Sequence, residues 1–592
     1  MTERKPGFVE QLKSFPKTFW IANTMEIFER MSWYGWFTVM AVYVTGSVET
    51  GGLGFSTELR GTLQAIIPFF LYLMPVLTGA LADRYGFKKM FVISYSIMIV
   101  AYFLLGQFTS LTGFTVTFFL VAIGAAIFKP VVVGTVARVT NDSNSSTGFG
   151  IFYMMVNVGG FLGPVVAGVV RGWGWDKVFI ACSFWAVVNL VLVSIFYKEP
   201  VSETEDKRSL RGVLDGLVEV LGNLRFFITT GVVLIGLVLS SSFDSLGVSW
   251  FSWTWAFILL AAWVAGNLLY DRVLPVGSGE PKAAAPKRNP LARRMRCSNW
   301  RFALFLLIMS GFWTSFNQIF YTMPEYIRDF TETKPMIQVA QKIFGDGVVT
   351  KLATINESER GEIVRFFEEL RAEGDPDEAA LEETSRRLLY SKVRLSPDQI
   401  RPLVTDASLS VRDVADRAID LGRQVNPEFI VNINALGIVL FQVVVSFMMG
   451  RFHRFTTMIV GMLVAAVGIG FSALAGTQGM IGAGGLVWIV AAGILTFSFG
   501  EMMASPTSQE FVGRVAPRDK KALYMGYYFV AVALGNLFGG IISGQFYGKL
   551  ARDMQRPDLM WLAFGGVMLL TALMFVLYNR FALPRKSTQT MM

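Results

Sequence analysis

Residues 25–37 read MEIFERMSWYGWF, inside an apolar run that extends from about 20 to 45. The run is long enough to cross a bilayer, yet it carries Glu26, Glu29 and Arg30. In water these three would form an ordinary exposed helix face. In hydrocarbon each charge costs about 3 kcal/mol unless it is paired or faces water. Glu26 and Glu29 are three apart, and Glu26 and Arg30 four apart, so a helix carries all three on one side. If the run is a span, the trio must face a partner or a wet interior.

Composition says that it is a span. The chain has 592 residues, 53% of them hydrophobic and only 16% charged, where a soluble domain has about 25% charged. Apolar runs of about 18 residues or more recur along its length, each able to cross a bilayer core of about 30 Å. The net charge of +9 does not point to nucleic acid, because the basic residues gather in short loops between spans. Cys182 lies in an apolar run and Cys297 in a basic stretch, which gives no disulfide framework. The first apolar run lacks a short core followed by a small-residue cleavage site, so it reads as a span and not a signal peptide.

Spans are predicted near 20–45, 62–82, 90–109, 114–137, 148–170 and 177–197, then 226–243 and 253–271. Six more follow near 301–326, 428–450, 456–476, 484–511, 522–546 and 558–579, which makes 14 arranged as six, two and six. The fold class is therefore an all-α membrane protein. The units are an N-terminal six-helix bundle at 1–200 and a linker with two extra helices at 201–298. The first helix of a C-terminal bundle follows at 299–329, an insert at 330–425, and the rest of that bundle at 426–592. Lys and Arg cluster in DRYGFKK, YKEPVSETEDKRSLR, PKRNPLARRMR, GRFHR, GRVAPRDKK and the tail RFALPRK, all on one side. That side is cytoplasmic by the positive-inside bias, which places both termini there and the chain in the plasma (inner) membrane. Residues 1–18 are expected along the cytoplasmic surface. GALADRYGFKK after the second span and GRFHR after the second of the last six form a weak internal echo of two parallel six-helix units, the plan of the major facilitator fold.

The insert is too long for a structureless loop. ERGEIVRFFEELRAEG, DPDEAALEETSRRLLY and SLSVRDVADRAIDLGR have helical periodicity, with acidic starts and basic ends. They predict a small extracytoplasmic helical domain with a modest core, either a tolerated insertion, a lid, or a docking site for an extracytoplasmic protein partner.

Two more charges lie inside spans: Lys129 in AAIFKPVVVG and Glu501 in TFSFGEMMASPTSQEF. A carboxylate that loses a neighbouring cation gains affinity for a proton, which is the basis of a proton relay. A fixed ion-pair cluster locking helices together is the plainer alternative. No metal-ligand spacing, nucleophile elbow or phosphate loop appears, and the one histidine, His453, falls in a cytoplasmic loop, so an enzyme is a poor reading.

Seven motifs in order give a resemblance. EIFERMSWYG resembles the ExxER signature of the proton-dependent oligopeptide transporters, and YLMPVLTGALADRYGFKK the second helix and loop of that family. IFKP, FYMMVNVGGFLGP, FWTSFNQ, NPEFIV and GEMMASPTSQEFVGRVAP are similar to its fourth, fifth, seventh, eighth and tenth helices. The likeness covers nearly all of the membrane chain and leaves out 330–425. It implies a proton-coupled symporter importing di- and tripeptides by alternating access, with protons as coupling ion and no other cofactor and no metal. It implies proton coupling by Glu26, Glu29, Arg30 and Lys129, and a cytoplasmic gate at Asp83 and Arg84. A substrate site would comprise Tyr34, Phe37, Tyr72, Tyr153, Asn157, Trp313, Asn317, Gln318, Asn434 and Glu501, with Glu501 meeting the peptide amino group.

The departures matter. The family arginine that helps hold the substrate carboxylate is Phe37 here, and a family acid is Asn317. Asn432 and Asn434 stand where the family is mostly apolar. Losing one cation and one acid together is electrically consistent, and it leaves Lys129 and Arg30 as the cations for an anionic group. The competing readings are proton-coupled transport of a non-peptide solute, or a sensor or scaffold working through the insert.

Overall fold

The computed structural model describes residues 8–141, 144–200, 223–242, 253–274, 291, 294–295, 299–372, 374, 376–449, 452–475, 486–515 and 521–582. Cys297 and most residues of the basic loops lie outside these. The described chain is helical, with one isolated bridge between Val393 and Arg423.

Among the described residues, eleven helices are long and apolar enough to cross a membrane. Two shorter apolar helices, at Leu224–Leu237 and Pro427–Gln442, occupy predicted span positions. The first span, Lys17–Thr45, escapes a hydropathy criterion because of its own charges. The order is therefore six, two and six. The second span runs as Thr57–Leu73 and Pro75–Tyr85, then Phe87–Leu105, Leu111–Arg138, Ser145–Val170 and Trp175–Ile195 follow. The extra pair is Leu224–Ser242 and Trp253–Val273. The ninth span is broken into Trp300–Phe316, Gln318–Tyr321 and Met323–Phe330. The tenth consists of Pro427–Val431 and Ile433–Met449. Arg454–Ala475, Leu486–Val515, Lys521–Phe546 and Pro557–Phe581 complete the set.

Each half has its own aromatic core. In the first, Trp36 packs against Phe114, Phe118 and Phe179. In the second, Phe305 meets Phe511 and Phe575. Between the second and third spans Gly86 takes φ 90°, a left-handed conformation that only glycine adopts without strain. The Glu199 carboxylate, from the chain beyond the sixth span, accepts from the freed Phe87 amide at 2.5 Å. The eighth span buries 6% of its apolar window, so it stands at the periphery, facing lipid.

Glycines set the close helix crossings. A Cβ on Gly159 would stand 2.5 Å from the Ile27 carbonyl oxygen and 2.6 Å from Arg30 Cβ. The fifth-span motif FYMMVNVGGFLGP thus seats that helix directly on the first. Between halves, a Cβ on Gly61 would stand 2.5 Å from the Gly540 oxygen, which joins the second and thirteenth spans.

The insert has helices at Lys334–Phe344, Glu357–Ala372, Glu378–Tyr390, Pro397–Thr405 and Val411–Gly422. Its core is larger than its sparse apolar content suggests. Ile363, Phe366, Phe367, Leu381, Leu388, Ile400 and Val414 are all buried together. Arg371 donates to the carbonyls of Val404, Asp406 and Leu409, closing the bundle. The two ends are tied: Gln424 Oε1 accepts from the Thr333 amide at 2.6 Å, and Thr333 Oγ1 from the Val425 amide at 2.7 Å.

Candidate functional site

Charged contacts that join the two halves gather at the end that carries the insert. Arg60 on the second span is fully buried, its Nε 3.0 Å from Glu325 Oε2 on the ninth. Its Nη1 donates to Gln64 Oε1 and to the Tyr321 carbonyl, each at 2.6 Å. Arg552 reaches Glu325 and Asp329, both at 3.2 Å, from the end of the thirteenth span. A second pair closes the other flank: Arg171, at the end of the fifth span, donates to Glu428 Oε2 at 3.0 Å at the start of the tenth. Both side chains are buried, and the Arg171 guanidinium lies 4.3 Å over the Trp175 ring. This end of the interface is sealed.

The insert reinforces the seal. It grows from the C-terminal half but grips the N-terminal one. Arg365 and Arg387 both pair with Glu49, in the loop after the first span. Thr354 packs onto Gly172, at the end of the fifth span. Lys392 pairs with Glu359 at 2.8 Å inside the insert and donates to the Thr354 carbonyl. Burial holds the Lys392 ammonium below its ordinary range, with Glu359 pulling the other way. Arg171 and Glu428 are within electrostatic reach of Lys392. The sequence therefore misses half of the insert's attachment: it moves with neither half alone.

The charged trio of the first span is buried. Arg30 Nε donates to Glu29 Oε2 at 2.5 Å and lies 3.3 Å from Glu26 Oε1. Lys129 of the fourth span sits over the Tyr72 ring at 5.3 Å, and its charged neighbours are Arg30, Glu29 and Glu26. Four charges thus meet inside the N-terminal half with no net charge when both acids are ionised. Tyr34 links them to the middle of the molecule, since Arg30 lies 5.8 Å over its ring and Glu501 is within its electrostatic reach.

There a small cavity, with about 40 Å³ of free space, lies between the halves. Of the predicted substrate residues, Tyr34, Asn157, Asn434 and Glu501 line it. Asn434 Nδ2 donates to Glu501 Oε2 at 3.0 Å and to Ser498 Oγ at 2.9 Å, so the carboxylate is aimed by the tenth span. Tyr153 is within electrostatic reach of Glu501, and its carbonyl accepts from Asn157.

Other predicted residues are placed elsewhere. Phe37 stacks on Trp33 at 4.7 Å and meets Tyr321, so it is packing between halves and not cavity wall. Trp313 packs on Phe316 and against Gly535. Gln318 spends its amide inside the C-terminal half, donating to Thr314 and Gly539 carbonyls and accepting from Thr322. Asn317 is buried beside Gly539 at the break in the ninth span. Tyr72 serves Lys129 and stacks with Phe529. Arg30 and Lys129 are both engaged away from the cavity wall, contrary to the expectation that they wait for a substrate anion. Asp83 and Arg84 fall on the last turn of Pro75–Tyr85, and their side chains lie outside the described residues. Sequence reasoning did not find Arg60, Glu325, Arg171 or Glu428. Their signal was a charge at the end of an apolar run, which ordinarily marks the water boundary.

The sequence profile of the Major Facilitator Superfamily matches residues 26–246 and 421–590. The peptide transporter YePEPT of Yersinia enterocolitica is 23% identical over 553 residues, 88% of this chain and 86% of the relative. The uncharacterized transporter YclF of Bacillus subtilis is 25% identical over 221 residues, 36% of this chain and under half of YclF, 45%. Dipeptide and tripeptide permease A of Escherichia coli is 23% identical across 46% of this chain and 58% of its own. Among solved structures, a peptide transporter POT in complex with sulfate has a TM-score of 0.59 at 17% identity, covering 97% of this chain and 96% of that one. A POT family transporter in complex with 5-aminolevulinic acid has a TM-score of 0.57 at 15% identity, covering 96% and 99%. With two six-helix halves and an extra pair of helices between them, a sealed end on the insert side and a cavity between the halves, the chain belongs to the major facilitator superfamily, and its matches gather among the peptide transporters.

Proposed function

We propose that the protein is a proton-coupled symporter that brings small peptides into the cell by alternating access. One observation carries the reading: a buried, mutually balanced cluster of Glu26, Glu29, Arg30 and Lys129 stands one tyrosine away from a cavity that holds Glu501. An uncompensated charge inside a bilayer is expensive, so a proton taken up by Glu26 or Glu29 leaves one cation in excess. Arg30 is then freed from one partner and repelled by Lys129. That shift transmits along the first span, which the fifth span clasps at Gly159. Release of the proton on the cytoplasmic side restores the neutral cluster. Outward opening separates Arg60 from Glu325 and Arg171 from Glu428, and Asp83 and Arg84 belong to the opposite, cytoplasmic gate. The basic loops support cytoplasmic termini, and on this reading the chain resides in the inner membrane. The insert acts as a clasp on the outer gate, a role that leaves less of its surface for a separate protein partner. The peptide transporters among the relatives support this reading over a sensor or scaffold.

Purified protein in liposomes with an inward proton gradient, offered di- and tripeptides and other small solutes, tests it. Uphill accumulation is expected. Glu26→Gln, Glu29→Gln and Lys129→Ala each abolish uphill uptake, while counterflow, which needs no net proton movement, survives in at least one. Uphill uptake at the wild-type level in all three variants refutes the relay.

A further inference from the structure

The helix Lys334–Phe344 opens the insert, and the clasp does not account for its sequence. At about 100° per residue, Met336, Ile337, Val339, Ile343 and Phe344 share one arc, and Gln338, Gln341 and Lys342 fill the opposite one. The apolar arc is divided in its use. Ile337 is buried in the core of the C-terminal half, and Met336 packs beside it. Val339, Ile343 and Phe344 are left 42%, 66% and 72% exposed. Three large apolar side chains together on one helix form a patch, which marks an interaction surface in a way that scattered exposure does not.

The level of the helix says what covers the patch. The ninth span runs from Trp300 to Phe330, about 45 Å at about 1.5 Å per residue. A bilayer with its headgroups is about 40–45 Å thick, so the chain reaches the headgroups just before Lys334. Two exposed tryptophans mark the same level. Trp173 is 72% exposed at the end of the fifth span, next to Gly172, on which Thr354 of the insert packs. Trp488 is 43% exposed in the first turn of the twelfth span, the span that Lys334–Phe344 touches. Tryptophan gathers where the bilayer meets water. Lys334 Nζ donates to the Leu421 carbonyl at 2.6 Å, which pins the start of the helix to the rest of the insert.

We infer that Lys334–Phe344 is an interfacial helix, laid along the leaflet on the insert side with Val339, Ile343 and Phe344 in the acyl boundary and Gln338, Gln341 and Lys342 toward water. With Ile337 fixed to the protein, the exposed apolar flank and the polar flank lie on opposite sides, as a surface between lipid and water requires. At 11 residues the helix is about 16 Å long, half of what a crossing needs. The insert then has a third foothold, on lipid, besides its contacts with the two halves. This goes beyond the transport reading and does not depend on it.

The test uses the full chain carrying Cys182→Ala and Cys297→Ser, one chain per nanodisc of phosphatidylcholine and phosphatidylglycerol. Val339→Cys, Ile343→Cys, Phe344→Cys, Gln338→Cys and Lys342→Cys, made singly, each carry a nitroxide. All five side chains are exposed, so a label needs no repacking. Collisions with oxygen, which concentrates in lipid, are compared with collisions with a water-soluble nickel chelate. The oxygen-to-nickel ratio at Val339, Ile343 and Phe344 is expected to exceed that at Gln338 and Lys342 by about threefold or more. Ratios that agree within about 1.5-fold at all five sites overturn the inference, because the helix then lies in water. Protection from both reagents at Ile343 and Phe344 also overturns it, because protein then covers the patch. An environment-sensitive fluorophore at the same cysteines gives an independent reading. Doxyl-labelled lipid should quench it at Ile343 about twofold more than at Lys342, and equal quenching counts against the inference.

Discussion

Replacing residues 334–423 with a short Gly/Ser linker should make the outer gate open more often. The ends of the insert are already tied through Thr333, Gln424 and Val425, so a short bridge can span them. The insert has its own buried core, and removing it takes Ile337 and Ala353, with Met336 and Val349 packed beside them, from the core of the C-terminal half and nothing from that of the N-terminal half. What disappears is the grip on the N-terminal half. Arg365 lies 3.0 Å from Glu49, with both side chains close to half exposed, and Arg387 lies 3.7 Å from the same carboxylate. Exposed pairs of this kind contribute about 0.2–1 kcal/mol each. Together with the lost Thr354–Gly172 packing, the clasp is worth about 1–2 kcal/mol. That is a rise of about 5- to 30-fold in the outward-open to outward-closed ratio.

The readout is a single cysteine at Thr38, a cavity residue on the outer part of the first span, in a chain carrying Cys182→Ala and Cys297→Ser. Labelling by a membrane-impermeant maleimide from outside reports opening. The rate should rise by about the same 5- to 30-fold, provided that opening equilibrates faster than labelling. A rate within twofold of the intact protein refutes the clasp and returns the insert to the status of a tolerated surface domain.

The buried latch should respond more strongly than the exposed one. Arg171→Gln leaves Glu428 buried without its cation, a loss of about 3–5 kcal/mol from the closed state, and the same maleimide assay should show faster labelling than the linker variant. Slower labelling than in that variant would contradict it. The insert, expressed alone as residues 333–425, should be sensitive to acid. The Ser410 hydroxyl and amide hold the Asp413 carboxyl below its ordinary range, and Ser408 does the same for Asp406. A depressed carboxyl adds stability that is present above its unfolded value of about 3.9 and is lost as pH falls through the folded one. Its melting temperature should hold steady from pH 7 to about pH 5 and fall below about pH 4. A melting temperature that is lower at pH 7 than at pH 5 would mean that other groups govern it.

The spans were legible because one property, apolar length, decides them. Even the first span could be placed, since its charges fit one face of a helix. The buried charge cluster was legible for the same reason: a charge deep in an apolar run has few harmless explanations. The clasp and the outer seal were not. Arg60, Glu325, Arg171 and Glu428 all stand near the ends of apolar runs, where a charge usually means water. Only the meeting of the two halves buries them, and no local pattern records that meeting. Phe37 and Trp313 are taken up by aromatic packing on Trp33 and Phe316 instead of the cavity wall, and Gln318 misses it for a related reason. Helical periodicity says which residues share a face, but the ninth span breaks at Asn317, and a break rotates everything after it.

The same distinction separates the two kinds of charge in this protein. Glu26, Glu29, Arg30 and Lys129 belong to one half and keep their neighbours as the halves rock, so any change in their pairing must come from a proton. Arg60 with Glu325, and Arg171 with Glu428, span both halves and must part whenever the outer end opens. A pair of the first kind can sense protonation without sensing conformation, and a pair of the second kind the reverse. Coupling needs an element that touches both. Tyr34 fits that requirement: its ring lies under Arg30, and it lines the cavity that also holds Glu501.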